Sequence, residues 1–267
     1  MRPRWRKVLA RTNVRQKVAG VPAASAVMTM LEPSMTLKIV ACRSPNHDER
    51  PQGAVIDMLV LHYTGMKTAD EALARLCDPE AKVSAHYTIG RDGRVFAHVP
   101  EARRAWHAGV SYWAGEKNVN GRSIGIELVN PGHEFGYVPF AEAQIAALID
   151  LSKAILSRHP IPAARVLGHS DVAPARKTDP GELFPWKQLA EFGIGLWPAP
   201  NHRELREAPE AALARYGYGL PPHTDVSFEA VVTAFQRHFR PTEVNGKWDG
   251  ECESALAALL APKVVAP

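Results

Sequence analysis

Two short apolar runs along the chain each end in a histidine. Residues 55–61 are mostly apolar and partly β-branched, which predicts a buried strand that ends at His62. Residues 165–169 form a similar run that ends at His169. Since ligand-binding groups gather at the carboxyl ends of strands in α/β sheets, we expect both histidines to lie at such an end.

Three further runs also predict strands. Residues 86–89 and 95–99 flank an Arg-Asp-Gly turn at 91–93 and predict a strand–turn–strand unit. Residues 123–129 alternate between apolar and polar positions, which predicts a strand with Glu127 on its polar face.

Helix-spaced apolar positions lie between these strands. Alanine and leucine recur at helical spacing over residues 68–76, and isoleucine and leucine do so over residues 141–157. Strands that alternate with helices indicate an α/β fold, in which helices flank a central β-sheet.

The pattern changes after Trp197. Pro198, Pro200 and the polar residues 201–207 predict a linker over residues 199–208. Helical patterns follow over residues 209–216, 227–239 and 249–260. The middle one has Ser227 or Asp225 as its predicted N-cap. These patterns predict a small C-terminal three-helix domain with a hydrophobic core separate from that of the α/β region.

The composition is that of a globular protein. Of the 267 residues, 46% are hydrophobic and 22% are charged, which argues against a mostly disordered chain. No apolar stretch approaches the ~20 residues of a membrane helix, so an integral membrane protein is excluded. Three scattered cysteines argue against a disulfide scaffold, and no Cys-x-x-Cys pair is present. Any metal site is therefore expected to use mainly histidines and carboxylates.

The net charge of +4 comes from the N-terminus. The first 17 residues contain seven lysines and arginines, more than the net charge of the whole chain. The rest of the chain is therefore near neutral and indicates no basic groove for nucleic acid. This basic run and the mildly apolar residues 18–31 have the order of a signal peptide, although Pro22 interrupts it. A disordered tail, or a start at Met35, is the alternative. We expect residues 1–44 to be an extension outside the folded domains.

The residue types around the two histidines are those of a catalytic zinc site. His62, His169 and Asp179, which lies in a loop punctuated by Pro and Gly, offer three ligands and leave a fourth position open for water. Zinc lowers the pKa of bound water to about 7. Glu127 can then take the proton of the water, and Lys177 can hold the developing oxyanion. Ordinary hydrogen-bonded histidines, a surface ion pair and a solvated lysine are the structural alternatives.

Five motifs in a fixed order produce a specific family resemblance. They are His62-Tyr63-Thr64, residues 84–89 (SAHYTI), residues 105–109 (AWHAG), residues 123–127 (SIGIE), and Gly168-His169-Ser170-Asp171 continuing to residues 177–181 (KTDPG). Over about residues 45–198 the chain resembles the type 2, AmpD-like, zinc-dependent N-acetylmuramoyl-L-alanine amidases. The resemblance implies a mixed central β-sheet flanked by helices, a fold shared with peptidoglycan-recognition proteins.

The resemblance also implies individual roles. It places the Zn²⁺ ligands at His62, His169 and Asp179, the catalytic glutamate at Glu127, and the lysine that stabilises the tetrahedral intermediate at Lys177. The residues expected to line the substrate groove are Tyr63, His86, Trp106, His107 and Asn118. The alternatives are a packed core position for Trp106 and an ordinary strand position for His86.

Residues 209–262 resemble a three-helix peptidoglycan-binding domain. The alanine, phenylalanine and glutamine within residues 230–241 match, whereas Glu251 and Cys252 depart from the usual start of the last helix. A helical cap that only stabilises the catalytic domain, residues 45–198, is the alternative.

These features favour an enzyme over a binding protein. The expected reaction is hydrolysis of the amide bond between N-acetylmuramic acid, ordinary or 1,6-anhydro, and L-alanine. A muropeptide receptor of the same fold is one alternative, which the complete ligand set disfavours, and an amidase for another amide is a second. We expect a monomer that acts on peptidoglycan or muropeptides in the cell envelope or periplasm, with the cytoplasm as the alternative location.

Overall fold

A computed structural model describes residues 38–199 and 204–261. Residues 35–267 make up one compact unit. The possible signal segment lies outside the described residues. Residues 39–41 already form a strand of the sheet, so the predicted extension over residues 1–44 is too long. Within 38–199 and 204–261, no helix is long and apolar enough to cross a membrane.

A six-stranded, mostly parallel β-sheet lies at the centre of the fold. Its strands are β1 (Ile39–Ala41), β3 (Met58–Tyr63), β4 (Tyr87–Ile89), β5 (Val95–Ala97), β7 (Ser123–Leu128) and β8 (Val166–Gly168). Their order is β1-β5-β4-β7-β3-β8, with only the β4–β5 pair antiparallel. Two more strands, β2 (His47–Glu49) and β6 (Arg103–Ala105), form a separate antiparallel pair. The predicted α/β fold with a mixed sheet is therefore confirmed.

Helices flank the sheet and continue beyond it. They are α1 (Ala69–Cys77), α2 (Val119–Arg122), α3 (Gly132–Phe135), α4 (Glu142–Arg158), α5 (His169–Val172), α6 (Trp186–Glu191), α7 (Pro209–Tyr216), α8 (Phe228–Phe239) and α9 (Gly250–Leu260). Side chains that accept from free backbone N–H groups start several of them: Thr68 at α1, Ser227 at α8 and Asp249 at α9. The long helices lie where helical spacing predicts them, and Ser227 is confirmed as an N-cap.

The two faces of the sheet belong to different hydrophobic clusters. In β3, Leu59 and Leu61 belong to the cluster that contains the apolar side of α4, whereas Met58 and Val60 belong to a second cluster. Successive side chains of a strand point to opposite faces, so His62 lies on the same face as Met58 and Val60. The histidine is thus placed on the face that the second cluster covers.

The second cluster joins the sheet to the C-terminal helices. Val60 and Leu167 from the sheet belong to it together with Val231 and Phe235 of α8, and α8 packs against α5. The prediction of a separate core for these helices is therefore wrong. The physical reason is that the second face of the sheet is itself apolar, so the apolar stripe of α8 gains more by covering that face than by packing only within the tail.

Candidate metal centre and active site

Two proposed ligands meet because their strands are parallel neighbours. β3 and β8 lie side by side, so His62 near the end of β3 lies beside His169, which directly follows β8. Their Nδ1 atoms are 2.9 Å apart, and both residues are buried. Asp179 completes the group, because its Oδ2 lies 3.1 Å from His62 Nδ1 and 3.0 Å from His169 Nδ1. A backbone hydrogen bond of 2.8 Å from Ser170 N to the Asp179 carbonyl holds the loop in place.

Hydrogen bonds behind the histidines determine which ring nitrogens carry hydrogen. His169 Nε2 lies 3.0 Å from the Ala108 carbonyl, which can only accept, so Nε2 is the donor. His62 Nε2 lies 3.0 Å from His107 Nδ1, and His107 Nε2 lies 3.1 Å from Ser123 Oγ. When the Nε2 atoms of His62 and His169 carry the hydrogens, their Nδ1 atoms carry the lone pairs. These two lone pairs face one point. Such outer hydrogen bonds are typical of metal-binding histidines.

Burial and neighbouring charges shift the pKa values of His62 and Asp179 in opposite ways relative to the effect of burial alone. Burial, and then the neighbouring His169, lower the pKa of His62 to about 4 against the attraction of Asp179. Burial by itself would raise the pKa of Asp179, but His169 and His62 outweigh it and hold that pKa well below its usual range. Two imidazole nitrogens and one carboxylate oxygen form a donor set that fits Zn²⁺.

Glu127 lies next to these donors. The register of β3 and β7 pairs it with His62, and its Oε2 is buried without a hydrogen-bond partner among the described residues. Burial, and then the Asp179 carboxylate, raise the pKa of Glu127 well above its ordinary value, while Lys177 acts in the opposite direction. A carboxylate with a raised pKa is suited to accept a proton and return it near neutral pH.

Lys177 is the cation nearest in sequence to the proposed ligands. It is half-buried in the loop between α5 and Asp179. Its positive charge lowers the pKa of both His62 and Glu127. A cation in this position can stabilise negative charge that develops on a substrate oxygen beside the metal.

Comparisons with known proteins identify the family of this chain. The profile of the N-acetylmuramoyl-L-alanine amidase family matches residues 52–182. The chain is 42% identical over 230 residues to the N-acetylmuramoyl-L-alanine amidase AmiD of Escherichia coli K12, covering 77% of this chain and 82% of AmiD. The chain belongs to the N-acetylmuramoyl-L-alanine amidase family. It is also 36% identical to the 1,6-anhydro-N-acetylmuramyl-L-alanine amidase AmpD of Enterobacter cloacae, covering 55% of this chain and 85% of AmpD.

Solved structures extend the similarity beyond the catalytic region. E. coli AmiD bound to anhydro-N-acetylmuramic acid-L-Ala-D-γ-Glu-L-Lys matches with a TM-score of 0.69 and 41% identity, over 79% of this chain and 92% of AmiD. Pseudomonas aeruginosa AmpDh3 bound to an anhydromuramic pentapeptide matches with a TM-score of 0.71 and 37% identity. The match covers 78% of this chain and 92% of the AmpDh3 chain. Residues 1–198 are about 74% of this amidase (198 of 267). Both matches therefore extend beyond residue 198.

Two of the residues predicted to line the groove have other positions in the amidase. His86 is fully buried; its Nδ1 accepts from Gly125 N at 3.0 Å and its Nε2 lies 3.1 Å from the Arg103 carbonyl. His107 is also buried and contacts His62. Their contacts give both residues a structural role: His86 joins strands, and His107 supports a proposed ligand. A Cβ on Gly125 would lie 2.5 Å from the His107 ring, so this glycine leaves the space that the ring occupies.

Tyr63, Trp106 and Asn118 remain groove predictions, with different positions. Tyr63 is half-buried beside the site, and its hydroxyl lies 2.7 Å from Thr178 Oγ1. Trp106 is half-buried directly before His107. Asn118 caps α2 by accepting from a backbone N–H, ahead of the amino end of β7.

One buried group near the site escaped the sequence analysis. Asp171 is fully buried in α5, two residues after His169. Its Oδ1 accepts from the Tyr218 hydroxyl at 2.7 Å, and its Oδ2 lies 2.7 Å from both Gly168 N and His238 Nδ1. Tyr218 and His238 belong to the C-terminal region. A motif residue next to a proposed ligand is therefore held by the helices that the sequence analysis assigned to another domain.

Proposed function

We propose that this amidase uses Zn²⁺ to hydrolyse the amide bond between N-acetylmuramic acid and L-alanine. The observation that carries the proposal is the convergence of His62, His169 and Asp179 on one point, with Glu127 paired to His62 on the neighbouring strand. The substrate class follows from the AmiD and AmpDh3 complexes, whose ligands are anhydromuropeptides. In the AmiD ligand, the γ linkage of D-glutamate leaves its α-carboxylate free, so the peptide stem is anionic.

His62, His169 and Asp179 are the proposed ligands. When bound there, zinc supplies a Lewis acid that polarises the substrate carbonyl and acidifies water. His62 Nε2 donates to His107 Nδ1, and His169 Nε2 donates to the Ala108 carbonyl. These hydrogen bonds orient the two ligand rings and keep their Nδ1 lone pairs available. Burial excludes bulk water from this point, which strengthens every charge interaction there.

Glu127 and Lys177 are the proposed proton carrier and oxyanion partner. Glu127 Oε2, which has no other partner, accepts a proton from the attacking water and returns it to the nitrogen of the departing L-alanine. The Lys177 ammonium group stabilises the carbonyl oxygen as it becomes negative. This division of labour assigns the two residues to kcat rather than to metal binding.

The C-terminal helices, residues 209–262, are proposed to bind peptidoglycan as well as to cover the sheet. The resemblance of residues 230–241 to a three-helix peptidoglycan-binding domain supports this role. A wall-binding tail fits an enzyme of the cell envelope, which we propose as the location, and a monomer as the active form. Pull-down of the full chain with purified sacculi tests the binding, and a chain that stays in the supernatant contradicts it.

Mass spectrometry of muropeptides digested with the purified full chain tests the central proposal. We expect products that have lost the peptide stem at the muramic acid–L-alanine bond, no turnover after chelation, and recovery on adding Zn²⁺. A Glu127→Gln variant prepared in the same way controls for a contaminating amidase. Turnover that survives chelation, or cleavage at another bond, would refute the proposal.

A further inference from the structure

A cleft of about 390 Å³ lies between the catalytic loop and α8. One wall is the segment of residues 174–178, which includes Lys177 and leads directly to Asp179. The other wall consists of Ser227, Glu229, Ala230, Thr233 and Arg237. The cleft therefore adjoins the candidate metal centre, and the C-terminal region supplies half of its lining.

The lining of this cleft is mainly positive. Arg176, Lys177 and Arg237 carry three positive charges, and Glu229 carries the one negative charge among its lining residues. The Arg176 guanidinium is engaged by two backbone carbonyl groups, at 2.8 and 2.6 Å. Lys177 is the proposed oxyanion partner. Arg237 is the cation whose role neither the fold nor the proposed reaction explains.

Arg237 has donor capacity that the protein does not use. Its Nε is buried without a hydrogen-bond partner in the part of the chain that the structure describes. Its closest ion pair is long, 4.0 Å from Nε to Glu182 Oε2, and the Glu182 carboxylate already lies 3.1 and 3.2 Å from His133 Nε2. A buried, unpaired guanidinium N–H is unfavourable, and a carboxylate is the group that pairs with it best.

We propose that Arg237 is a specificity-determining residue that binds a carboxylate of the peptide stem, so that α8 forms one wall of the substrate cleft. This inference rests on the proposed function. The stem lies on the leaving-group side of the scissile amide, and Lys177 places the carbonyl of that amide at the mouth of the cleft. The free α-carboxylate of a γ-linked D-glutamate is the first anionic group along the stem after L-alanine, and we assign it to Arg237.

Steady-state kinetics of the zinc-loaded full chain test this assignment with two substrates. One is a muramoyl tripeptide with the free α-carboxylate of D-glutamate, and the other carries the amide in its place. We expect Arg237→Gln to raise KM for the free carboxylate about 10- to 100-fold, the effect of losing a charged hydrogen bond, with kcat within about twofold. KM for the amidated substrate should stay close to that of the wild type, and Arg237→Lys should restore part of the loss.

Arg215→Gln is the matched control, because Arg215 pairs with Glu207 on the exposed side of α7. We expect wild-type kinetics for it on both substrates. An unchanged KM in Arg237→Gln, or an equal rise on both substrates, would overturn the inference. Calorimetric binding of the two tripeptides to metal-free protein is a readout separate from turnover. An inactive wild type would refute the proposed function, whereas equal affinity for the two peptides would refute only the role of Arg237.

A second observation concerns a pair of thiols far from this cleft in the sequence. Cys42 follows β1 and Cys77 ends α1, and their Sγ atoms are 3.1 Å apart. His98 lies beside them, with its Nδ1 3.8 Å from Cys77 Sγ, and the three side chains could together hold a metal. However, His98 Nδ1 lies 2.6 Å from the Cys42 carbonyl and its Nε2 lies 2.8 Å from Thr88 Oγ1. Both nitrogens are therefore engaged, which favours a bond between the sulfur atoms over a metal site.

We infer that Cys42 and Cys77 form a disulfide when a disulfide oxidant is present. The thiols lose two protons and two electrons as the S–S bond forms, and the oxidant, such as oxidised glutathione, is cleaved to two thiols. The sulfur atoms need to approach by about 1 Å to reach the ~2.05 Å of a disulfide. The bond would tie the exposed edge strand β1 to α1 and close a loop of 35 residues in the sequence.

Thiol titration of the denatured protein tests this inference. The reduced chain has three thiols. After treatment with oxidised glutathione we expect one, with a Cys42–Cys77 peptide in the mass spectrum and a melting temperature higher by about 5–10 °C. Cys252→Ser should still form the bond, and Cys77→Ser should not. Three thiols after oxidation, or a second zinc per chain that Cys77→Ser removes, would overturn the inference.

Discussion

At the residue scale, the site depends on which atoms its buried groups leave free. The outer hydrogen bonds of His62 and His169 leave both Nδ1 atoms free, and Glu127 keeps one carboxylate oxygen without a partner. Free lone pairs inside a protein are unfavourable for stability. Several free lone pairs that face one point therefore distinguish a reactive site from an ordinary network of buried hydrogen bonds.

Substitution of a ligand and of the proton carrier should separate two functions. We expect His169→Ala to lose zinc and activity together, because it removes one of three donors. Glu127→Gln should keep zinc and lower kcat by about 10²–10⁴, the usual contribution of a general base. Metal analysis and muropeptide hydrolysis measure both. Wild-type turnover in Glu127→Gln would show that another group carries the proton.

Lys177→Met tests the oxyanion role. We expect a folded, zinc-containing protein with kcat lower by about 10²–10³, the usual loss on removing one oxyanion donor. Steady-state kinetics on a soluble muropeptide measure it. An increase in KM with kcat unchanged would show that Lys177 binds substrate instead.

The buried Glu127 carboxyl should cost stability in the metal-free protein. Folding raises its pKa above the ordinary value of 4.5, so above that pH the folded chain binds more protons than the unfolded chain. Its contribution to stability therefore falls as the pH rises beyond 4.5. We expect metal-free Glu127→Gln to melt about 2–4 °C above metal-free wild type at pH 8, and the difference to shrink towards pH 4. Thermal unfolding at several pH values measures this, and a lower melting temperature at pH 8 would contradict it.

At the element scale, α5 connects the metal site to the C-terminal region. The helix starts at His169 and carries Asp171. The Asp171 carboxylate accepts hydrogen bonds from the Tyr218 hydroxyl and from His238 Nδ1, both in the C-terminal region. The same carboxylate lies 2.7 Å from the Gly168 N–H at the end of β8. A shift of the C-terminal helices would thus be transmitted to the strand end that places His169.

Tyr218→Phe tests this connection. The change removes one hydroxyl and leaves the fully buried Asp171 carboxylate one donor short, so we expect a loss of about 1.5–3 kcal/mol in the free energy of unfolding. Denaturant unfolding measures it. Tyr112→Phe, at a half-buried tyrosine that stacks on His223, is the matched control and should change stability by less than about 0.5 kcal/mol. Equal effects of the two variants would contradict the connection.

At the scale of the whole molecule, the catalytic region and the C-terminal helices depend on one another. The second hydrophobic cluster contains Met58 and Val60 from β3 as well as Phe235 from α8 and Leu256 from α9. The prediction of separate cores implied that truncation at Pro200 would leave a folded amidase, and the shared cluster reverses that expectation. Removal of the helices would expose an apolar face of the sheet directly behind the metal site.

A chain truncated at Pro200 should therefore be insoluble or melt more than about 10 °C below the full chain. The reason is that apolar side chains of the sheet, such as Met58 and Val60, become exposed to water when the C-terminal helices are removed. Differential scanning fluorimetry measures the shift. When residues 1–199 and 200–267 are co-expressed as separate chains, we expect them to purify together. A truncated chain that melts like the full protein would show that the shared cluster contributes little.

The amino-acid sequence by itself determined the elements and the chemistry. Apolar periodicity predicted the main strands and helices to within a few residues, because burial of one face imposes that period on each element. The ordered motifs pointed to the amidase family, and His62, His169 and Asp179 lie together in the structure, with Glu127 paired to His62 on the neighbouring strand. Local sequence carries this information because each motif lies within one element or one loop.

The tertiary structure alone decided how the elements share surfaces. His86 and His107 have the same residue type as the ligands, and only packing shows that one joins strands and the other supports His62. The docking of α8 on the sheet also lies outside the reach of periodicity. An amphipathic helix has the same pattern whether its apolar stripe packs on its neighbours or on a distant sheet, so the shared core and the Asp171 contacts appear only when the whole chain is folded.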